Sequence, residues 1–382
     1  MRTRSAALGL IAALALVVSA CSGSASPAAS GAASGGTSST LKIGLVTDVG
    51  KLNDQNFNQY SWEGAQAGAA AIGAPAPKSA QSSASADIKP NIQSFVDQKF
   101  DIIVTVGFAA GGDTTAAAKA NPNIKFIGVD QSICVDESGN ADATFACKGD
   151  PSKLLPNYQG LTFKEGQVGY LAGTVAAGIS KSGHVAAIGG TASVPAVPNY
   201  MIGYVNGAKA LNPNVKVELQ YISPAADAKA FADPSGGKAF AQQLLGTFPD
   251  VDVLFQVAGS TGNGVLQAAC DAKINGIGVD VDQYISTPAT KACTVVSAEK
   301  KLTKAVSDAI QRIVAKTDKG GTLVLDITTD SVGLSPFHDS ASLITPDLQA
   351  KIDKAVADLK SGAIKACEEN AQGGCKNTNG MP

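Results

Sequence analysis

Residues 101–131, DIIVTVGFAAGGDTTAAAKANPNIKFIGVDQ, and residues 252–283, DVLFQVAGSTGNGVLQAACDAKINGIGVDVDQ, are one structural unit written twice. Each opens on an acidic residue and a short apolar run, then passes through a Gly-rich turn into an Ala-rich amphipathic stretch. Each ends on a second apolar run that closes in Gly-Val-Asp. Short apolar runs alternating with helical patterns predict βαβ units in a parallel sheet. Further out, LTFKEGQVGYLAGTVAA (161–177) and TVVSAEKKLTKAVSDAI (294–310) each predict a strand flowing into a helix, so the echo extends beyond the unit itself. Two copies predict two similar α/β lobes. Ligands of such sheets lie outside the carboxyl ends of the strands. If the lobes face each other, Asp130 and Asp280 both look into the cleft between them.

A chain of 382 residues with 45% hydrophobic content can bury two cores of ordinary size. Its formal charge of −2 becomes −4 when Arg2 and Arg4 leave with a signal, which gives no support for a nucleic-acid partner. Residues 1–20 have the build of that signal. Met1–Arg4 is basic, Ala6–Ala20 is an apolar stretch too short to span a bilayer stably, and Val18-Ser19-Ala20-Cys21 resembles a bacterial lipobox. In such a motif Cys21 carries lipid on its sulfur; the alternative is plain secretion with a coincidental cysteine. The segment 21–40 after the cleavage point is almost wholly Ser, Gly, Ala, Thr and Pro, a flexible linker with a reach of about 20–25 Å. The expected address is the outer face of the cell membrane, held by a lipid anchor. Six further cysteines suit that compartment as disulfides. They fall in neighbouring pairs, Cys134/Cys147, Cys270/Cys293 and Cys367/Cys375, although six cysteines allow about 15 pairings. No metal site is expected, since CxxC spacing is absent and His184 and His338 have no partner at helical spacing.

Catalytic signatures are missing. The sequence has neither a Gly-x-x-x-x-Gly-Lys-Ser/Thr loop nor a Gly-x-Ser-x-Gly elbow, so neither an ATPase nor a serine hydrolase is expected. The turn from Gly259 to Gly264 offers backbone N–H groups to an anion or hydroxyl at a helix start, or serves simply to turn the chain. No cofactor is implied.

Residues 43–64, IGLVTDVGKLNDQNFNQYSWEG, predict a first strand, a polar loop and a helix start. The strand ends at Asp48, where a cleft residue belongs, and Asn56 or Asn53 is the expected helix cap. Phe57 stands inside a polar run, as either a core residue or a platform for a flat ligand. This stretch resembles the opening T-D-x-G-x-x-D-D-x-S-F-N-Q…W-E-G of the basic membrane protein family. These are bacterial lipoproteins related to the purine nucleoside receptor, and they serve as substrate-binding components of ABC importers. The likeness returns in order at FKEGQVGYLAG (163–173), IGGTASVPAVPNYMIGYVNGAK (188–209), VAGSTGNGV (257–265), IGVDVDQ (277–283) and SAEK (297–300). Two positions depart from it: the usual acidic pair reads Asn53-Asp54, and Asn56 stands in place of Ser.

The resemblance implies a two-lobed α/β type I periplasmic-binding-protein fold, with two parallel doubly wound sheets joined by three crossover segments. One lobe would hold 41–162 and 300–328, and the other 163–299 and 329–382. A nucleoside, with purines favoured, would lie between them. Asp48 and Asn58 would meet the base, Phe57 and Tyr200 would stack on its two faces, and Asp130 and Asp280 would take ribose hydroxyls. Lys300 would add a donor near the ribose, and Gly259 would admit the ligand close to the backbone. The implied partners are an ABC permease and its ATPase, and the binding protein itself would act as a monomer and not as an enzyme. A sugar or other small polar ligand in the same fold is the alternative, because fold alone does not fix the ligand. A nucleoside-processing enzyme is the alternative from another class, without a nucleophile–base pair in the sequence to support it.

Overall fold

The apolar runs of the repeated unit become strands buried on both faces, as parallel strands covered by helices must be. Ile102–Val106 and Val253–Val257 are buried at every position. The computed structural model describes residues 39–370 and 374–376. The signal segment, Cys21 and the linker up to residue 38 lie outside the described residues.

In chain order the first part is β1 (Ile43–Val49), α1 (Phe57–Ala71), β2 (Lys78–Ser82), α2 (Ile88–Asp97), β3 (Ile102–Val106), α3 (Gly111–Ala120), β4 (Lys125–Val129), α4 (Pro151–Leu154) and β5 (Tyr158–Phe163). The second is α5 (Glu165–Ile179), β6 (His184–Gly189), α6 (Ala196–Leu211), β7 (Lys216–Tyr221), α7 (Ala228–Phe231), α8 (Pro234–Thr247), β8 (Val253–Val257), α9 (Gly259–Asp271), β9 (Asn275–Asp280), α10 (Gln283–Ser286) and β10 (Thr294–Lys300). The chain then adds α11 (Leu302–Val314), β11 (Gly321–Leu325), β12 (Val332–Leu334) and α12 (Pro346–Ser361).

Two six-stranded sheets result, ordered β11-β5-β4-β3-β1-β2 and β12-β10-β9-β8-β6-β7. Shifting the labels from β1–β5 to β6–β10 turns one order into the other, so the repetition seen in the sequence is a repetition of topology. The second sheet departs from the parallel expectation at one edge, where β12 runs antiparallel to β10. Only a few residues separate β11, in the first sheet, from β12. β12 is therefore reached from β11 in the other sheet and not through a βαβ crossover from β10, its partner.

The chain passes between the sheets after β5, after β10 and after β11. These crossings are laced together: Lys164 N–H donates to Leu325 O at 2.9 Å and Lys301 N–H to Ser331 O at 2.9 Å. Ile327 N–H donates to Gln167 Oε1 at 3.0 Å. Helix α11 buries Leu302, Ala305, Val306, Ala309 and Ile310 along one stripe, and Thr303 Oγ1 ties it to α1 through Tyr60 O at 3.0 Å. All three neighbour-to-neighbour disulfides are present, Cys134–Cys147, Cys270–Cys293 and Cys367–Cys375.

Candidate functional site

The carboxyl ends of β1, β3, β4, β8 and β9 converge on one cleft with about 630 Å³ of space free of protein atoms. Each of Asp48, Phe57, Asn58, Asp130, Tyr200, Gly259, Asp280 and Lys300 lines it. The repeat aspartates share more than position. Asp130 and Asp280 adopt φ of +56° and +65°, a left-handed conformation that aspartate tolerates better than most residues and that swings both carboxylates off the strand ends.

Gly107 and Gly259 mark the matching turns after β3 and β8, with φ of +91° and +52°. A Cβ on Gly107 would lie 2.0 Å from Asp48 Oδ2, so glycine there makes room for the carboxylate. At Gly259 the nearest atom would be Phe231 O at 3.4 Å, so it is the backbone conformation rather than lack of space that suits glycine.

Among the described residues Lys300 is the only cation lining the cleft, and it is 3% exposed. Its ammonium donates to Asp130 Oδ2 at 2.6 Å and lies 3.5 Å from Asp280 Oδ1 and 3.8 Å from Glu165 Oε1. Burial alone opposes this charge, but Asp130, Asp280 and Glu165 outweigh it and raise the pKa above the ordinary lysine value. Burial raises the carboxyl pKa values of Asp280 and Glu165, with Lys300 pulling against it and Asp130 adding to it.

Asp48 carries the same tension at the base of β1. Its carboxylate accepts from Val49 N–H at 2.7 Å, while Asn58 Oδ1 holds its own N–H at 3.0 Å. Asp48 is half-buried and lines the cleft. Desolvation, reinforced by Asp130 and Asp54, lifts its pKa to about 7 despite the Val49 bond. With Asp48, Asp54, Asp130 and Asp280 facing a single ammonium, the cleft suits a neutral, donor-rich ligand and disfavours an anion at the Gly259 turn.

The helix cap differs from expectation. Asp54, not Asn53 or Asn56, caps α1, accepting from the N–H groups of Asn56, Asn58 and Gln59 at 2.8, 3.0 and 3.1 Å. A carboxylate bonds a positive helix terminus more strongly than an amide does. Asn56 makes no side-chain cap bond. The Asp54 carbonyl also reaches across the cleft, accepting from Asn263 Nδ2 at 3.2 Å. Gln283 Nε2 holds that asparagine at 2.8 Å.

Tyr200 lines the cleft in a different posture from the one implied. It is 1% exposed, its hydroxyl lies 3.2 Å from both Asp280 Oδ1 and Ala298 O, and its ring stands edge-on to Phe255. Such a ring braces Asp280 and offers little face. The half-buried rings of Phe57, Phe108 and Phe231 line the same cleft. Phe57 also lies 5.1 Å, centroid to Nζ, from Lys300, within cation–π range. Sequence reasoning missed Asp54, Gly107, Phe108, Glu165 and Phe231 as site residues. Glu165 lies inside the FKEGQ motif and Phe108 stands at the repeat position of Gly259; Gly107, whose repeat counterpart is Ala258, and Phe231 carry no such signal.

Among known proteins, the model of the Bmp family, described as ABC transporter substrate-binding protein PnrA-like, matches residues 41–366. The CD4+ T-cell-stimulating antigen of Listeria innocua is 30% identical over 386 residues, covering 96% of this chain and 99% of the relative. The ABC transporter nucleoside-binding protein BmpA of Lactococcus lactis is 30% identical over 341 residues, covering 85% and 88%. Among solved structures, an ABC transporter solute-binding protein from Aeropyrum pernix superposes with a TM-score of 0.70 at 22% identity, covering 85% of this chain and 92% of that one. Two matched sheets, three crossings and a cleft at the strand ends agree with that likeness, and this chain belongs to the Bmp family of PnrA-like ABC transporter substrate-binding proteins.

Proposed function

We propose that the cleft binds a nucleoside, purines favoured, and that the protein delivers it to an ABC permease and ATPase while tethered outside the membrane through Cys21. The observation that carries the proposal is Asp130. Lys300 occupies its Oδ2, while its Oδ1 is buried in the cleft without a partner among the described residues. A buried carboxylate oxygen left so is costly, and a sugar hydroxyl would satisfy it. Asp280, whose Oδ1 already accepts from the Tyr200 hydroxyl, offers a second carboxylate from the other repeat. Each charge-assisted bond would contribute about 1.5–3 kcal/mol.

Asp48, which keeps its proton up to about neutral pH, presents both a donor and an acceptor to a base edge, with Asn58 beside it. Phe57 supplies one stacking face, and Phe231 takes the second in place of Tyr200. The moving bodies are 41–162 with 300–328 and 163–299 with 329–382. A ligand held by both favours the closed state, as the Asn263–Asp54 bond across the cleft also does. The protein acts as a monomer, and nothing in the cleft requires catalysis.

Phe57→Ala is expected to raise the nucleoside Kd by about 10- to 100-fold, as loss of one base–aromatic stack implies. Its Tm should stay within about 3 °C of wild type, because the ring is only half-buried. Calorimetry and thermal denaturation check both, and an unchanged Kd removes Phe57 from the site. For the anchor, Cys21→Ser is expected to move the protein from the membrane to the soluble fraction. Continued association with washed membranes would exclude lipidation at that cysteine.

A further inference from the structure

The hairpin closed by the Cys367–Cys375 disulfide follows directly after the segment matched by the family model, and none of its described residues lines the cleft. It sits on the first crossing between the lobes. A Cβ on Gly166, in the first turn of α5, would lie 2.8 Å from Cys375 Sγ and 3.3 Å from Cys367 Sγ, so the disulfide packs directly on that turn. Beside it, Lys164 Nζ meets Glu369 Oε1 of the hairpin at 2.7 Å.

From there a polar relay runs inward. Cys375 N–H donates to Asn199 Oδ1 at 2.7 Å, and Asn199 Nδ2 donates to Glu165 Oε2 at 3.1 Å. The other oxygen, Oε1, faces the Lys300 ammonium at 3.8 Å. Glu165 is 4% exposed and separates the cleft from a second cavity, which Asn199, Cys367, Glu369 and Cys375 also line. Asn199 is therefore oriented by the hairpin on one side and orients a buried carboxylate on the other.

We infer that the Cys367–Cys375 hairpin is a positioning element for the binding cleft: it fixes Asn199, Asn199 fixes Glu165, and Glu165 helps hold Lys300 between Asp130 and Asp280. Without the disulfide, Cys375 N–H is no longer held against Asn199, and Asn199 loses the anchor that aims its amide at Glu165. The ammonium then drifts from the geometry that leaves Asp130 Oδ1 open to a ligand. This deepens the proposed nucleoside function and takes it as a premise.

The test is a double-mutant cycle on the full chain in detergent, with adenosine, guanosine and uridine as probes. The double variant Cys367→Ser/Cys375→Ser is expected to weaken binding about tenfold, the scale of one hydrogen bond to a charged group. In a Glu165→Gln background the same change is expected to cost less than about twofold, because the relay already ends there. An equal loss in both backgrounds, or no loss in either, overturns the inference. Removal of the Cys134–Cys147 disulfide is the control and should show no coupling to Glu165.

If wild type binds none of the three probes, the nucleoside assignment fails separately, and the thermal midpoints of the ligand-free cycle decide. Losses in Tm that fail to add support the relay, and additive losses overturn it. If the double serine variant does not fold, Asn199→Ala takes its place in the same cycle. Wild-type affinity in that variant, with additive midpoints, overturns the inference as well.

Discussion

Replacing Lys300 by methionine is expected to destabilise the protein by about 3–5 kcal/mol, the range seen when one partner of a buried ion pair is removed. For a chain of this size that is a fall in Tm of about 5–10 °C. The size follows from what is left behind. Asp130, Asp280 and Glu165 lie within 2.6, 3.5 and 3.8 Å of the ammonium, and no other cation among the described residues lines the cleft.

The variant also has a pH signature with a definite sign. Asp280 and Glu165 already have pKa values raised by burial above the ordinary 3.8 and 4.5, and losing Lys300 raises them further. A group whose folded pKa is raised contributes stability that is fully present below the unfolded pKa and lost as pH rises through the folded one. The stability gap between wild type and Lys300→Met should therefore be small near pH 4 and widen through neutrality. Chemical denaturation at a series of pH values measures it. A gap below about 1 kcal/mol, or one that does not change with pH, would mean that the cluster is not coupled as its distances imply.

Gly107→Ala should damage binding as well as stability. At φ +91° and ψ 153° the position lies in a region essentially reserved for glycine, so an alanine there costs about 1–3 kcal/mol in backbone strain. Its Cβ would also lie 2.0 Å from Asp48 Oδ2 and 2.3 Å from Cγ, and a side chain can relieve that overlap only by moving. Asp48 then leaves the place where it meets the base. The expected loss is about 100-fold in Kd, the equivalent of one or two hydrogen bonds to a charged group. Gly259→Ala is the internal control, since its Cβ would stand 3.4 Å from the nearest atom and φ +52° is accessible to alanine at modest cost. Calorimetry on the pair should show the larger loss at Gly107; equal losses would mean that Asp48 does not need its present position.

How far the sequence carried the structure depends on what each feature rests on. The presence of two matching, mainly parallel sheets was legible because the repeat writes strand, turn, helix and strand in short-range patterns. Asp130 and Asp280 were legible because they end those strands in both copies. Features set by partners distant in sequence were not. Gly107 is required by the carboxylate of Asp48, and Tyr200 turns from a stacking face into a brace because Asp280 and the Ala298 carbonyl capture its hydroxyl. Phe231 ends a four-residue helix whose cap, Asp227, is an ordinary turn signal with nothing to mark the ring. Asp54 displaced the expected asparagine caps because its two oxygens can serve three N–H groups at once. The antiparallel β12 is reached from β11 in the other sheet, a connection that hydrophobic periodicity does not report.

The most direct test of the central claim is native mass spectrometry of the full chain in detergent, followed by denaturing release and chemical identification of whatever co-purifies. A chemically intact nucleoside at one per chain is the predicted result, and its base would settle the preference. A protein that releases a sugar, or that arrives empty and shows no calorimetric response to any nucleoside, would contradict the assignment of this cleft.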